Sequence, residues 1–182
     1  MNKIVTRERI RNHPLIRTLF QLEGNQKVLT FLEPLWGIPQ NLIAPYATLY
    51  MYELGVNDVQ IGLLMSIAMF VQMISSFAGG IIADRAGRKT TCNFGDFLGW
   101  CIPCVIWAVS QNFWFFLVAV ILNSFEQVNQ TAWNCLLIED APPGQILHIY
   151  TWVTISGLLA VFFAPISGLV ISRNSLIPVM RV

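Results

Sequence analysis

The sequence predicts an all-α membrane protein, a multi-span bundle of about five transmembrane helices, and three observations lead there. Hydrophobic residues make up 55% of the 182 positions and charged residues only 12%, against roughly 45–50% and about 25% in soluble domains. Five apolar stretches each reach the length of about 20 residues that crosses a hydrocarbon core of about 30 Å. Lys and Arg gather before the first stretch and between the second and third, as they do in cytosolic segments. A mean hydropathy of +0.59 excludes a disordered chain. A formal net charge of +1 leaves no basic surface for nucleic acid, which drops out as a partner.

Residues 1–31 are predicted to be a cytosolic N-terminal tail. They carry Lys3, Arg7, Arg9, Arg11, Arg17 and Lys27, and the apolar run after them starts too late for a cleavable signal peptide. Within the tail, Leu15, Ile16, Leu19, Phe20 and Leu22 recur at helical spacing, which predicts a short helix at the bilayer surface. The five spans follow at about 32–54, 59–83, 91–110, 113–138 and 146–172. Pro34, Pro39 and Pro45 interrupt the first, which a membrane helix tolerates when its neighbours satisfy the freed carbonyls. The second and fifth contain no Asp, Glu, Lys or Arg, whereas the third carries Asp96 and the fourth Glu126.

The positive-inside bias places the N-terminus and the 84–90 loop in the cytosol and the loops at 55–58 and 110–112 outside. Two places fit less well, the 139–145 connection with Glu139 and Asp140 but no Lys or Arg, and Arg173 on the outer side. Residues 32–175 thus hold the five spans, and 176–182, from Leu176 to Val182, read as the start of a sixth. The chain is therefore expected to be a truncated one.

The second span runs out through Gly79, Gly80, Ile81, Ile82 and Ala83 into Asp84, Arg85, Ala86, Gly87, Arg88, Lys89 and Thr90. This G-x-x-x-D-R-x-G-R-K pattern closely resembles the signature between helices 2 and 3 of the major facilitator superfamily, and the resemblance covers residues 32–172. Gly87 permits a tight reversal, and Asp84 can pair with Arg88 or Lys89 to clamp two helix ends. The resemblance implies about five helices of a six-helix half, and a loop that helps hold one end of the transport path closed against the second half. Gly80, Asp84, Arg85, Gly87, Arg88 and Lys89 are the candidate gating residues. The competing reading is an ordinary positive-inside anchor.

In the fourth span, Asn123, Glu126, Gln127, Gln130 and Asn134 fall at i, i+3, i+4, i+7 and i+11, on one helical face. An ionisable side chain at the bilayer centre costs about 2.5–3.5 kcal/mol, so Glu126 is expected to face a polar cavity or a partner. Helices 1 and 4 line the central cavity in the resembled family, which puts this stripe on the substrate path. Glu126 is the candidate proton-coupling or substrate-cation site, with Asn123, Gln127 and Gln130 as hydrogen-bonding groups. The alternative is polar glue between helices with Glu126 protonated. On the first span Asn41 lies near one meridian and Tyr46 near the opposite one, and both are candidates for the cavity face.

Other features point elsewhere. Gly157, Ala160, Ala164 and Gly168 share a face of the fifth span and suit close helix packing. The stretch Ala164-Pro165-Ile166-Ser167-Gly168 only faintly resembles the antiporter signature of the superfamily, with Ala in place of its key Gly. Cys101 and Cys104 form a C-x-x-C inside an apolar helix, where a thiolate is poorly stabilised. Asp96 is read as a helix-end group within reach of Arg88 or Lys89. His13 and His148 have no catalytic partners, and no metal-ligand spacing or phosphate loop occurs. No cofactor, metal or enzymatic activity is expected.

The resemblance implies a multi-pass carrier of the cell membrane with a cytosolic N-terminus, moving a small-molecule solute by alternating access. Its partners would be the lipid bilayer, the solute, protons as the candidate coupling ion, and the missing C-terminal half. The alternative is a non-transporting membrane fragment or interaction partner that retains the family's helices.

Overall fold

The structure, a computed structural model, describes residues 13–139 and 141–181. Lys3, Arg7, Arg9, Arg11, Asp140 and Val182 lie outside the described residues. Every regular element among the described residues is helical, as the composition and hydropathy predict. Three helical runs, Asp58–Ala86, Arg88–Val109 and Ile146–Arg173, are long and apolar enough to cross a membrane. Their outward surface is apolar, with Phe77 and Phe162 each 78% exposed, the pattern of side chains that meet lipid instead of water.

In chain order the helices are α1 (Pro14–Gln21), α2 (Gly24–Ile43), α3 (Ala47–Glu53), α4 (Asp58–Ala86) and α5 (Arg88–Asp96). They continue as α6 (Ile102–Val109), α7 (Phe113–Asn123), α8 (Glu126–Ile138), α9 (Ile146–Val161), α10 (Ala164–Arg173) and α11 (Leu176–Met180). The helix that enters the first apolar stretch begins at Gly24, within the segment expected to be tail, and Pro34 and Pro39 lie inside it. It gives way to a 3₁₀ turn at Ala44–Tyr46, where Pro45 has no N–H for the carbonyl four residues back.

The chain forms two compact units, one of residues up to Leu42 with Leu136–Ala164, the other of Ile43–Cys135 with Pro165 onward. In the first unit the tail helix α1 packs on α9. Trp152 Nε1 donates to the Leu15 carbonyl at 2.8 Å, and the Thr18 hydroxyl lies 3.0 Å from His148 Nδ1. Thr18 and Leu22 are buried by this packing, while Phe20 is exposed. Of the small residues in the fifth stretch, Ala160 meets α2, where a Cβ on Gly37 would stand 3.0 Å from its own.

The second unit is built around Tyr50, Met51, Val56, Ile61, Leu64, Phe116 and Leu176. A Schellman turn ends α3: Gly55, at φ +82°, donates to the Tyr52 carbonyl and Val56 to that of Met51, and Val56 packs with Met51 in the core. Asn57 then starts α4 with a capping box shared with Gln60. The fully buried Tyr50 stacks on Trp107 and meets the edge of Phe116. Its hydroxyl donates to the Trp107 carbonyl at 3.0 Å, and Arg181 Nη2 donates to the Ser110 carbonyl at 2.9 Å.

Candidate functional site

The connection between α4 and α5 is a single residue. Gly87 ends one helix and starts the next at φ +84°, ψ 139°, a backbone region open essentially to glycine. Its carbonyl accepts from both the N–H and the hydroxyl of Thr91, which fixes the first turn of α5. Asp84, Arg85 and Lys89 are exposed around this reversal and Arg88 is half-buried. The Asp84 carboxylate pairs with neither Arg88 nor Lys89. An exposed pair gains only ~0–1 kcal/mol, so Asp84 and Lys89 gain little from pairing at this surface. Gly80 has open space around it, and Gly79 makes the close approach instead, with a Cβ there 3.1 Å from Thr131 Oγ1 and Val128 Cα.

The same helix, α8, is approached from the other side by Gly95 and Gly99. A Cβ on Gly95 would stand 2.5 Å from that of Asn129, and one on Gly99 would stand 3.0 Å from the Glu126 nitrogen. Glycines four residues apart let two backbones meet in this way. Between them the chain winds as a π-turn, Phe97–Cys101, just before Pro103. Proline cannot donate to the carbonyl four residues back, here that of Gly99, and Asn123 Nδ2 supplies the missing donor at 2.7 Å.

The fourth apolar stretch is not one continuous helix. Between α7 and α8 the bonds tighten to the i+3 type, Phe125 N to Leu122 O at 3.0 Å and Val128 N to Phe125 O at 3.0 Å. Ser124 stands at the break: its buried hydroxyl bonds the Val120 carbonyl at 2.8 Å and that of Ala68, on α4, at 3.3 Å. Bonding of this kind to the preceding turn bends helices. Glu126 therefore opens α8, where a carboxylate faces the positive helix end.

The break and the glycine contacts divide the polar stripe. Asn123 and Glu126 lie against the third apolar stretch, whereas Gln130 is exposed and Asn134 bonds back to its carbonyl at 2.9 Å. Gln127 is half-buried, and the side chains of Gln127 and Gln130 make no hydrogen bond among the described residues. Tyr46 lies with the aromatic core of its unit and faces Gly168, where a Cβ would stand 2.5 Å from its hydroxyl. Asn41, in the other unit, bonds back to the Gly37 carbonyl at 2.8 Å.

Asp96 takes a partner that sequence reasoning did not assign. Its Oδ1 accepts from Asn129 Nδ2, and Arg88 lies eight residues away along the helix, about 12 Å at 1.5 Å per residue. Gly95, Gly99 and Asn129 were all missed. The signal was present in the G-x-x-x-G spacing of the two glycines and in the position of Asn129 three residues after Glu126. Cys101 and Cys104 are exposed free thiols, and Cys92 is buried. Among the described residues no group of His, Cys, Asp or Glu is placed to hold a metal ion.

Comparison with known proteins adds a family to this geometry. The sequence profile described as Major Facilitator Superfamily matches residues 35–178. The chain is 27% identical over 127 residues to "Uncharacterized MFS-type transporter YqjV" of Bacillus subtilis, covering 69% of this chain and 31% of that protein. It is 28% identical over 139 residues to "Multidrug resistance protein MdtG" of Salmonella paratyphi A, covering 74% and 34%. A shorter match, 38% over 88 residues, joins it to the protein of that name from Yersinia enterocolitica, covering 46% and 21%. The chain spans about a third of the length of the first two relatives. No solved structure matches it significantly.

Proposed function

The chain belongs to the Major Facilitator Superfamily, and on that premise we propose that it forms most of the N-terminal half of a secondary carrier. The carrier moves a small-molecule solute across the cell membrane by alternating access. Its work is binding and rocking, not catalysis. The N-terminus and the Gly87 reversal lie on the cytosolic side, following the Lys and Arg distribution.

The observation that supports this reading is the one-residue reversal at Gly87, which joins two helices long and apolar enough to cross a membrane and gathers Asp84, Arg85, Arg88 and Lys89 around it. There they act as a latch on the second half of the carrier. Glu126 and Asn123 form the inner end of the solute or proton path. Gln127 and Gln130 offer hydrogen-bonding groups that no side chain among the described residues occupies, and Asn41 and Tyr46 are first-helix contributors. The relatives carrying the name multidrug resistance protein make drugs the first solutes to try.

The test is uptake and efflux of a solute panel in vesicles, comparing this chain, a form extended by a C-terminal half, and the extended form with Glu126→Gln or Asp84→Lys. Transport by the extended form alone, loss of its pH dependence in Glu126→Gln and loss of rate in Asp84→Lys are expected. If no form moves any solute, the chain is instead a membrane fragment whose role lies in what it binds.

A further inference from the structure

The contact between the third and fourth apolar stretches holds two carboxyl groups and an acceptor that nothing fills. Gly95 and Gly99 set α5 and the π-turn against α8 in a fixed register, one glycine on Asn129 and the other on Glu126. Asp96, next to Gly95, is thereby brought to Asn129, whose Nδ2 it accepts from. Asn129 is itself 8% exposed, and its Oδ1 is buried with no hydrogen-bond partner. A buried acceptor left unpaired costs about 1–3 kcal/mol, so this arrangement lacks a donor. Glu126 stands one turn before Asn129, on the same face of α8, where Gly99 approaches it.

The second, third and fourth apolar stretches carry no basic residue to supply that donor. Residues 59–83 and 91–138 contain no Lys, Arg, His or Tyr. The titratable groups around Asp96 are Cys92 on its own helix and Glu126 on α8, with Cys135 facing Cys92, and α4 presents Gly79 to α8. Two carboxylates in a medium of low dielectric repel each other, and a proton between them removes the repulsion. The amide of Asn129 can follow the change. It donates Nδ2 to an ionised Asp96, and turned over it accepts at Oδ1 from a protonated one.

We propose that Asp96, Glu126 and Asn129 form a single proton-binding site that holds one proton between the two carboxyl groups. The inference deepens the carrier reading and rests on it for the site's place within the membrane. It differs from the sequence expectation in giving the proton to a pair and not to Glu126 alone.

The test is infrared spectroscopy of the carboxyl stretch on this chain in lipid nanodiscs, followed from about pH 4 to about pH 10. Wild type is compared with Asp96→Asn and Glu126→Gln. Uptake of one proton by the Asp96–Glu126 pair is expected, with the midpoint of the remaining carboxyl moved by about one pH unit or more when its partner is neutralised. Midpoints that do not move would overturn the site. Should Asp96→Asn fail to fold, the Asp96 band in Glu126→Gln carries the same information. Linked titration with pH-independent transport by the extended form supports the site and removes coupling from the carrier reading. Unlinked titration with pH-dependent transport does the reverse.

Discussion

Asn123 donates from Nδ2 to the carbonyl of Gly99 at 2.7 Å, and this bond replaces one that Pro103 cannot make. In a bilayer each unpaired backbone carbonyl costs several kcal/mol. A side chain from the fourth apolar stretch thus permits the proline and the π-turn of the third. The polar residue that a sequence reader assigns to the solute path is partly spent on holding two helices together.

Asn123→Ala leaves the Gly99 carbonyl unpaired and is expected to destabilise the chain by about 1–3 kcal/mol, read from denaturant unfolding in detergent. Pro103→Ala restores a backbone donor. In that background the same Asn123→Ala change should cost less than half as much, and equal costs in both backgrounds would refute the link.

Gly87→Ala forces a Cβ into φ +84° and is expected to cost about 1–3 kcal/mol, although no atom stands in its way. Gly62→Ala, in the interior of α4 with open space around it, is the control. It should be neutral or stabilise by up to about 1 kcal/mol. Thermal melts of the two variants side by side check both.

Gly79 and Gly80 are adjacent and predicted to behave oppositely. Gly80→Ala meets nothing, while Gly79→Ala pushes against Val128 and Thr131 of α8 and should lose about 1–3 kcal/mol as other overpacked cores do. Gly95→Ala should be at least as harmful, since its Cβ meets that of Asn129. The ranking Gly95, Gly79, Gly80 in decreasing cost is the measured outcome.

Trp152→Phe removes the bond from the indole to the Leu15 carbonyl and keeps the ring. Loss of about 0.5–1.5 kcal/mol should loosen α1 from α9 and raise amide exchange across Pro14–Gln21 roughly threefold to tenfold. Exchange in α7, in the other unit, should not change.

Length, charge and hydropathy determined by themselves that this chain is helical, that it meets lipid, and that it carries a glycine-bearing reversal between two spans. These properties sit in single residues or in one helix's own periodicity, which a linear reading resolves. Gly87 is an example, since only glycine suits its backbone angles whatever surrounds it. Only the tertiary structure decided that Gly79 and not Gly80 seats α8, that Asp96 turns to Asn129 and not to Arg88, and that Ser124, at the break in the fourth stretch, reaches Ala68 of α4. Each depends on which neighbouring surface lies within a few ångströms, and helical spacing fixes a residue's face without fixing what that face meets.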